Sequence, residues 1–430
     1  MTLLQKTFLY IFSPDLLRQK LIINAIYILG ISLFPGLIGI SFWALSGRFY
    51  QPEEVGLASA VLSAVGLIAM IANLGMSISI VRFLPEAADR PRLMNTIYTF
   101  VLVGAITLSA IYLIGSPLWA VNLSGYFLDM TYISGFVIFV IVTALGSVIR
   151  DTFIAFREAQ YALNYTILTQ VLRIGFLIFG ILFPIIGMVG SSFLAYTIAL
   201  VFSVAVWLKR LEPIHRPRLL LDYPILKRMI PYSLGNHLSV LLLQLPQLLF
   251  PLLILEMIGA AASAYAYIAL MLGGVITSPG LALSNSAFAE SSNQPLQANR
   301  IILKTGVIGV GITLLLSGLT LFTGPILLSI FGSAYAEQSA GLLRIMALAA
   351  PFIVLNQVHF TYLRFHKRTR QLVILNVLLA ALILGIAWGS IQQVGANACG
   401  FGILAGNLAL SSIIIIVELV SHVQTRVDLL

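Results

Sequence analysis

Residues Gly47–Ala87 read GRFYQPEEVGLASAVLSAVGLIAMIANLGMSISIVRFLPEA. Between the acids Glu53 and Glu54 and the cation Arg82, residues 55–81 carry no charge. A helix needs about 20 apolar residues to cross about 30 Å of hydrocarbon, so this run predicts a spanning helix that follows a polar turn and ends in a second one. One amide, Asn73, lies inside it.

The rest of the chain has the same texture. Over 430 residues it is 60% hydrophobic and 9% charged, with a mean hydropathy of +1.02, whereas soluble domains carry about 25% charged residues. This is the composition of an integral membrane protein. About twelve stretches meet the length criterion: 21–46, 55–81, 96–115, 131–149, 162–183, 186–208, 230–256, 263–285, 301–323, 338–359, 372–391 and 397–420. The expectation is an all-α polytopic protein. The first twenty residues lack the ordered regions of a secretory signal and predict a short interfacial helix. The single cysteine, Cys399, excludes an internal disulfide and any Cys-based metal site.

Charge sets the expected orientation. With the N-terminus inside, the basic clusters at Arg82/Arg90/Arg92, Arg150/Arg157, Lys209–Arg228, Arg300/Lys304 and Arg364–Arg370 all fall on one side, leaving Arg48 among outer acids. Lys and Arg gather on cytoplasmic loops, so both termini are expected to be cytoplasmic. The net charge of +9 is then a topology signal spread over every inner loop, and no nucleic-acid partner is implied.

The longest polar connection, 209–229, divides the spans into two groups. The expected organisation is a six-helix lobe over 1–208, a cytoplasmic linker over 209–229 and a second six-helix lobe over 230–430. An ungapped shift of 204 residues pairs Ser59, Glu86, Pro91 and Asn95 with Ser263, Glu290, Pro295 and Asn299. It superposes an outer turn, a long helix, an inner loop and the next helix. That is a parallel duplication of the kind from which transporters build two lobes around a midplane site.

No catalytic signature is present. There is no Gly-Lys dipeptide and no H-E-x-x-H, and the five histidines lack ligand spacing, so neither catalytic nor metal-ligating residues are expected. Short outer loops leave little room to hold an acceptor, which favours transport without chemistry. Candidate substrate residues are polar groups at membrane depth. Arg173, in LTQVLRIGFLIFG, lies about 16 Å into a helix starting near Ala162. Such an arginine either lines a wet cavity and attracts an anion or is paired for structural reasons. Arg344, about 10 Å from its outer helix end, has snorkelling as an alternative. Asn24, Asn73, Asn236, His237, Gln244 and Gln247 suit hydroxyl-rich ligands, since amides both donate and accept; interhelical bonding is the competing role. Pro35, Gly36 and Pro246 are candidate hinges, because proline in a spanning helix frees a carbonyl. No Asp or Glu falls in the middle third of a span.

The segment Gly47–Ala87 also resembles the amino-terminal signature of oligosaccharide (O-antigen-type) flippases, the polysaccharide biosynthesis branch of the multidrug/oligosaccharidyl-lipid/polysaccharide (MOP) exporter superfamily. The elements are Glu53–Gly56, Asn73–Gly75 and Arg82–Glu86, and AFREAQYALN (155–164) is similar to the family's inner turn. The resemblance implies a MATE-like fold with two lobes around a central cavity. It further implies alternating-access export of a polyprenyl-diphosphate-linked oligosaccharide across the cell membrane of a bacterium or archaeon. Implied partners are that lipid-linked oligosaccharide, the bilayer and polysaccharide assembly enzymes. No cofactor is implied, a coupling Na+ or H+ stays open, and a monomer is expected. Arg173 matches the cationic cavity role that family members commonly fill. The alternative is a Na+/H+-coupled multidrug (MATE-type) antiporter, against which the missing midplane acid counts.

Overall fold

In a computed structural model, residues 20–182 and 184–427 are described, and among them the chain is helical throughout with no strand. The expected interfacial helix of the first twenty residues lies outside the described residues. The long helices are α1 (Lys20–Phe49), α2 (Pro52–Asn73), α3 (Met76–Phe83), α4 (Arg90–Trp119), α5 (Met130–Ala155), α6 (Ala159–Phe179), α7 (Pro184–Phe202), α8 (Tyr223–Met257), α9 (Ala260–Asn293), α10 (Ala298–Ser329), α11 (Ala340–Phe365), α12 (Thr369–Val394) and α13 (Asn397–Val427). A π-helical turn, Ser203–Leu208, prolongs α7. Among the described residues, eleven helices are long and apolar enough to cross a membrane. The thirty-residue α1 precedes them as another long apolar helix. Many of their large apolar side chains point outward, Leu118 at 82% and Phe322 at 86% exposure, as residues meeting lipid rather than water do.

Backbone contacts divide the chain into two compact units, one of residues 1–43, 68–118 and 124–237, the other of 44–67, 119–123 and 238–430. In the first, α6 packs on α7, α5 packs on both, and α3 packs on α5. In the second, α9, α10 and α11 pack on one another, and α13 packs on α11 and α12. Helix α8 contributes its start to one unit and its remainder to the other.

Two turns between helices close in the same way. After α5, Arg157 takes φ 60 while its N–H reaches Ile154 O and the Glu158 N–H reaches Phe153 O; after α11, Lys367 takes φ 56 with matching bonds to Arg364 O and Leu363 O. Each is a Schellman closure built on a basic residue instead of glycine. The tight turn starts α6 at Ala159, three residues before the expected Ala162.

The predicted span 55–81 is not one helix. It breaks at Leu74 (φ 44) and Gly75 (φ 77), both left-handed, before α3 restarts at Met76. Shifted by 204, Gly75 falls on Pro279 inside α9, so both repeats carry a helix-breaking residue type at one place. The first turns of α2 and α9 meet closely: a Cβ added to Gly56 would lie 1.7 Å from Ala260 O. Gly56 and Ala260 are also 204 positions apart.

Candidate functional site

The break between α2 and α3 gathers polar groups in the first unit. Because the chain turns left-handed at Leu74, the Leu74 N–H bonds Ile71 O at 3.1 Å, and Met70 O loses its ordinary helical donor. His237 of α8 supplies one, its Nε2 donating to Met70 O at 3.0 Å. On the other side, Asn73 Oδ1 accepts the Ser77 N–H at 3.0 Å, satisfying an orphan donor in the first turn of α3. Asn73 Nδ2 donates to Ser77 Oγ and to Ser147 Oγ of α5, each at 3.0 Å. Both residues are buried, Asn73 5% exposed and His237 7%. Gly75 fits because a Cβ there would lie 2.7 Å from Ser233 O. Asn73 and His237, 164 positions apart in the chain, thus serve one discontinuity, and their bonds tie a helix break together.

Arg173 sits elsewhere in the same unit. Its helix starts earlier than expected, so it lies about 21 Å from the first residue of α6 and about 9 Å from Phe179. This corrects the expected depth of 16 Å and moves the cation towards the C-terminal end of α6. Its guanidinium carbon lies 3.6 Å from the centroid of Phe42 and 5.8 Å from that of Trp43, both on α1. Its Nε donates to Ser192 Oγ of α7 at 2.8 Å. Arg173 is half-buried, and Phe42 is fully buried beneath it. A guanidinium stacked on aromatic faces keeps its charge and loses little hydration, which is how an arginine is held inside a bundle. One to two turns before it, α6 buries Thr166, Thr169 and Gln170, and Gln170 Oε1 has no partner among the described residues.

Of the other candidates, Gln244, Pro246, Gln247 and Arg344 belong to the second unit. Gln244 and Gln247 are exposed on α8, flanking the buried Pro246. Arg344 is exposed, about 6 Å from the start of α11 rather than 10 Å. The side chains of Asn24, Pro35 and Asn236 lie outside the described residues, and Gly36 is exposed within a continuous α1. Among the described residues there is no cluster of three or more metal-ligating side chains.

Residues not singled out from sequence form a second buried network. Asn356 Nδ2 donates to Asn407 O and Oδ1 at 3.0 and 3.1 Å, and Ser411 Oγ donates to Asn356 Oδ1 at 2.8 Å. Asn376 is buried with neither amide atom bonded among the described residues. The available signal was an amide within each of three long apolar runs.

This architecture is shared with solved membrane transporters. An inward-facing multidrug resistance MATE family transporter of the MOP superfamily aligns over 88% of this chain and 92% of its own, with TM-score 0.66 and 17% identity. The lipid II flippase MurJ, in an inward closed conformation, aligns over 91% and 87%, with TM-score 0.70 and 13% identity. A MOP superfamily transporter from Pyrococcus furiosus, described as having a binding pocket of reverse polarity, aligns over 90% and 93%, with TM-score 0.59 and 17% identity. No curated protein matches the sequence. The fold is that of the MOP superfamily, and the class of protein is a multi-pass membrane flippase or transporter. Residues 21–283 match the family described as polysaccharide biosynthesis protein, and the chain belongs to that family.

Proposed function

We propose that this transporter exports a polyprenyl-diphosphate-linked oligosaccharide across the cytoplasmic membrane for surface polysaccharide assembly. The observation that carries the reading is the match to the polysaccharide biosynthesis family over residues 21–283. The diphosphate and sugar hydroxyls cannot cross about 30 Å of hydrocarbon unaided. A central wet cavity between two rocking lobes lowers that barrier while the polyprenyl tail stays in lipid. Arg173 is the cation assigned to the anionic carrier lipid, and Gln244 and Gln247 are exposed amides suited to sugar hydroxyls. Arg344, Asn24 and Asn236 stand with them as candidate cavity residues; Pro35, Gly36 and Pro246 remain candidate bending points. The chain works without covalent chemistry, with both termini cytoplasmic, as a monomer, and Na+ or H+ is the candidate coupling ion.

The test replaces Arg173 by Ala and by Lys in a strain lacking the native gene, with membrane levels matched. Surface polysaccharide lost with Ala and partly restored with Lys supports the assignment. Normal polysaccharide with both variants removes Arg173 from the substrate path. Reconstituted protein that exports a cationic dye on a Na+ or H+ gradient, and flips no lipid-linked sugar, would replace the flippase reading by the antiporter one.

A further inference from the structure

The chain between α7 and α8 does not loop freely into water. Asn95 of α4 accepts at Oδ1 from His215 Nε2 at 3.1 Å and from the Arg218 N–H at 3.2 Å, and its Nδ2 donates to Arg216 O at 3.0 Å. One turn on, Thr99 Oγ1 accepts the Leu220 N–H at 3.0 Å. Arg92 Nε then bonds the buried Asp222 carboxylate at 2.6 Å. Residues 215–222 are therefore strapped across the start of α4.

The strap is fastened through its backbone at Arg216 and Arg218, which leaves their side chains out of the fastening. Both are exposed, and among the described residues neither guanidinium makes a hydrogen bond or ion pair. They line a recess of about 610 Å³ together with Arg92 and Asp89. Of the nearby acids, Asp222 is paired with the Arg92 side chain, while Asp89 Oδ1 accepts the Arg92 backbone N–H; three arginines against these two acids leave the recess a positive excess.

A second cavity of about 280 Å³ shares Asn95, Arg218 and Leu219 with the first. It runs inward between Leu102 of α4, Leu145 of α5 and Leu200 of α7, and its walls are almost wholly apolar. Leu102 lies twelve residues into α4, about 18 Å from the helix start. The two recesses form one slot, cationic at the mouth and greasy along its depth. Exposed Ile214, Leu219 and Leu221 flank the mouth, and α7 leaves its membrane-spanning segment at Leu211, directly before the strap. Apolar side chains interleaved with arginines at a span's end suit the headgroup layer.

We propose that this slot binds an anionic phospholipid, its phosphate on Arg216 and Arg218 and one acyl chain between α4, α5 and α7. A free phosphate would leave the apolar depth unfilled, and a zwitterionic lipid would bring no net charge to the cationic mouth. The site is independent of which substrate crosses the membrane.

The test uses the full purified chain and follows retained lipid by native mass spectrometry. Phosphatidylglycerol is titrated against phosphatidylcholine, with inorganic phosphate as the competitor. The expected result is a roughly 30-fold preference for phosphatidylglycerol, the contribution of two interfacial arginines. That preference is lost in Arg216→Gln/Arg218→Gln, while Val204→Trp, in the turn after α7 at a residue that also lines the apolar cavity, blocks retention with both arginines in place. Equal retention of the two lipids by the wild-type chain overturns the proposal. So does displacement of phosphatidylglycerol by millimolar phosphate, which would make this a soluble-anion site. Unchanged preference in the double arginine variant overturns it too, and the wild-type lipid comparison decides the matter even where a variant fails to fold.

Discussion

Ser59 Oγ lies 3.5 Å from Ser263 Oγ, and the two serines are 204 positions apart, the same offset that relates the two halves of the chain. A residue that touches its own repeat equivalent stands on the axis relating the repeats. That axis passes between the first turns of α2 and α9, where Ser59 Oγ also donates to Gly56 O at 2.8 Å and Ser263 Oγ to Pro251 O at 2.9 Å.

Gly56→Ala is expected to be severe, because its Cβ would fall 1.7 Å from the backbone oxygen of Ala260. Overpacking against backbone costs about 1–3 kcal/mol or more. The melting temperature in detergent should drop by several degrees or the protein should fail to accumulate, whereas Gly66→Ala, 3.5 Å from a Leu248 methyl, should melt as wild type. Equal behaviour of the two variants would show that the helices separate at this point without penalty.

At the helix break, His237→Ala leaves Met70 O without its side-chain donor. An unsatisfied buried carbonyl costs about 1–3 kcal/mol. Asn73→Ala removes the bond to the Ser77 N–H, worth about 1 kcal/mol. Because both act on one discontinuity, the double variant should lose less than the sum, read as a coupling in thermal melts. Strict additivity would mean the two bonds hold independent pieces.

Phe42→Leu removes the ring on which Arg173 rests. A stacked cation of this kind contributes about 0.5–2 kcal/mol. If Arg173 serves only packing, Phe42→Leu and Arg173→Lys should lower stability and transport in parallel. If it also meets substrate, Arg173→Lys should lower transport at nearly wild-type melting temperature.

Burial lowers the pKa of His215 below its ordinary 6.5. The strapped state therefore favours the neutral imidazole, while the released state takes up the proton more readily. Strap stability is full above about pH 6.5 and falls as pH drops through the lowered value. Limited proteolysis across residues 211–222 should accelerate in mild acid, and His215→Gln should abolish that pH dependence. The ring is bordered by Asn95, Tyr98 and Arg218.

Hydropathy made the spans legible because lipid demands an apolar run whatever the packing. The span expected at 131–149 is α5, Met130–Ala155, and the one expected at 397–420 is α13. The break at Leu74 and Gly75 escaped, since a hydropathy window cannot see a positive φ, although the triplet Asn73, Leu74, Gly75 stood out as a motif. Arg173 was placed too shallow because a left-handed Arg157 is not written in composition, and it shortens the turn before α6. Its partners Phe42 and Trp43 come from α1, far back in the chain, and Ser192 from the helix that follows, pairings that no local pattern reveals. The strap was visible only as a polar, proline-rich connection; its attachment to Asn95 and Thr99 is a tertiary fact.

The closeness of Gly56 to Ala260 bears on why two halves in one chain differ from two identical subunits. A symmetric pair would have to place the same residue on both sides of the axis. Alanine on both would drive a methyl group into a carbonyl, and glycine on both would forfeit about 0.5–1 kcal/mol of helix stability twice. A single chain carrying both copies can set glycine against alanine, giving one helix its methyl and the other the room to approach it.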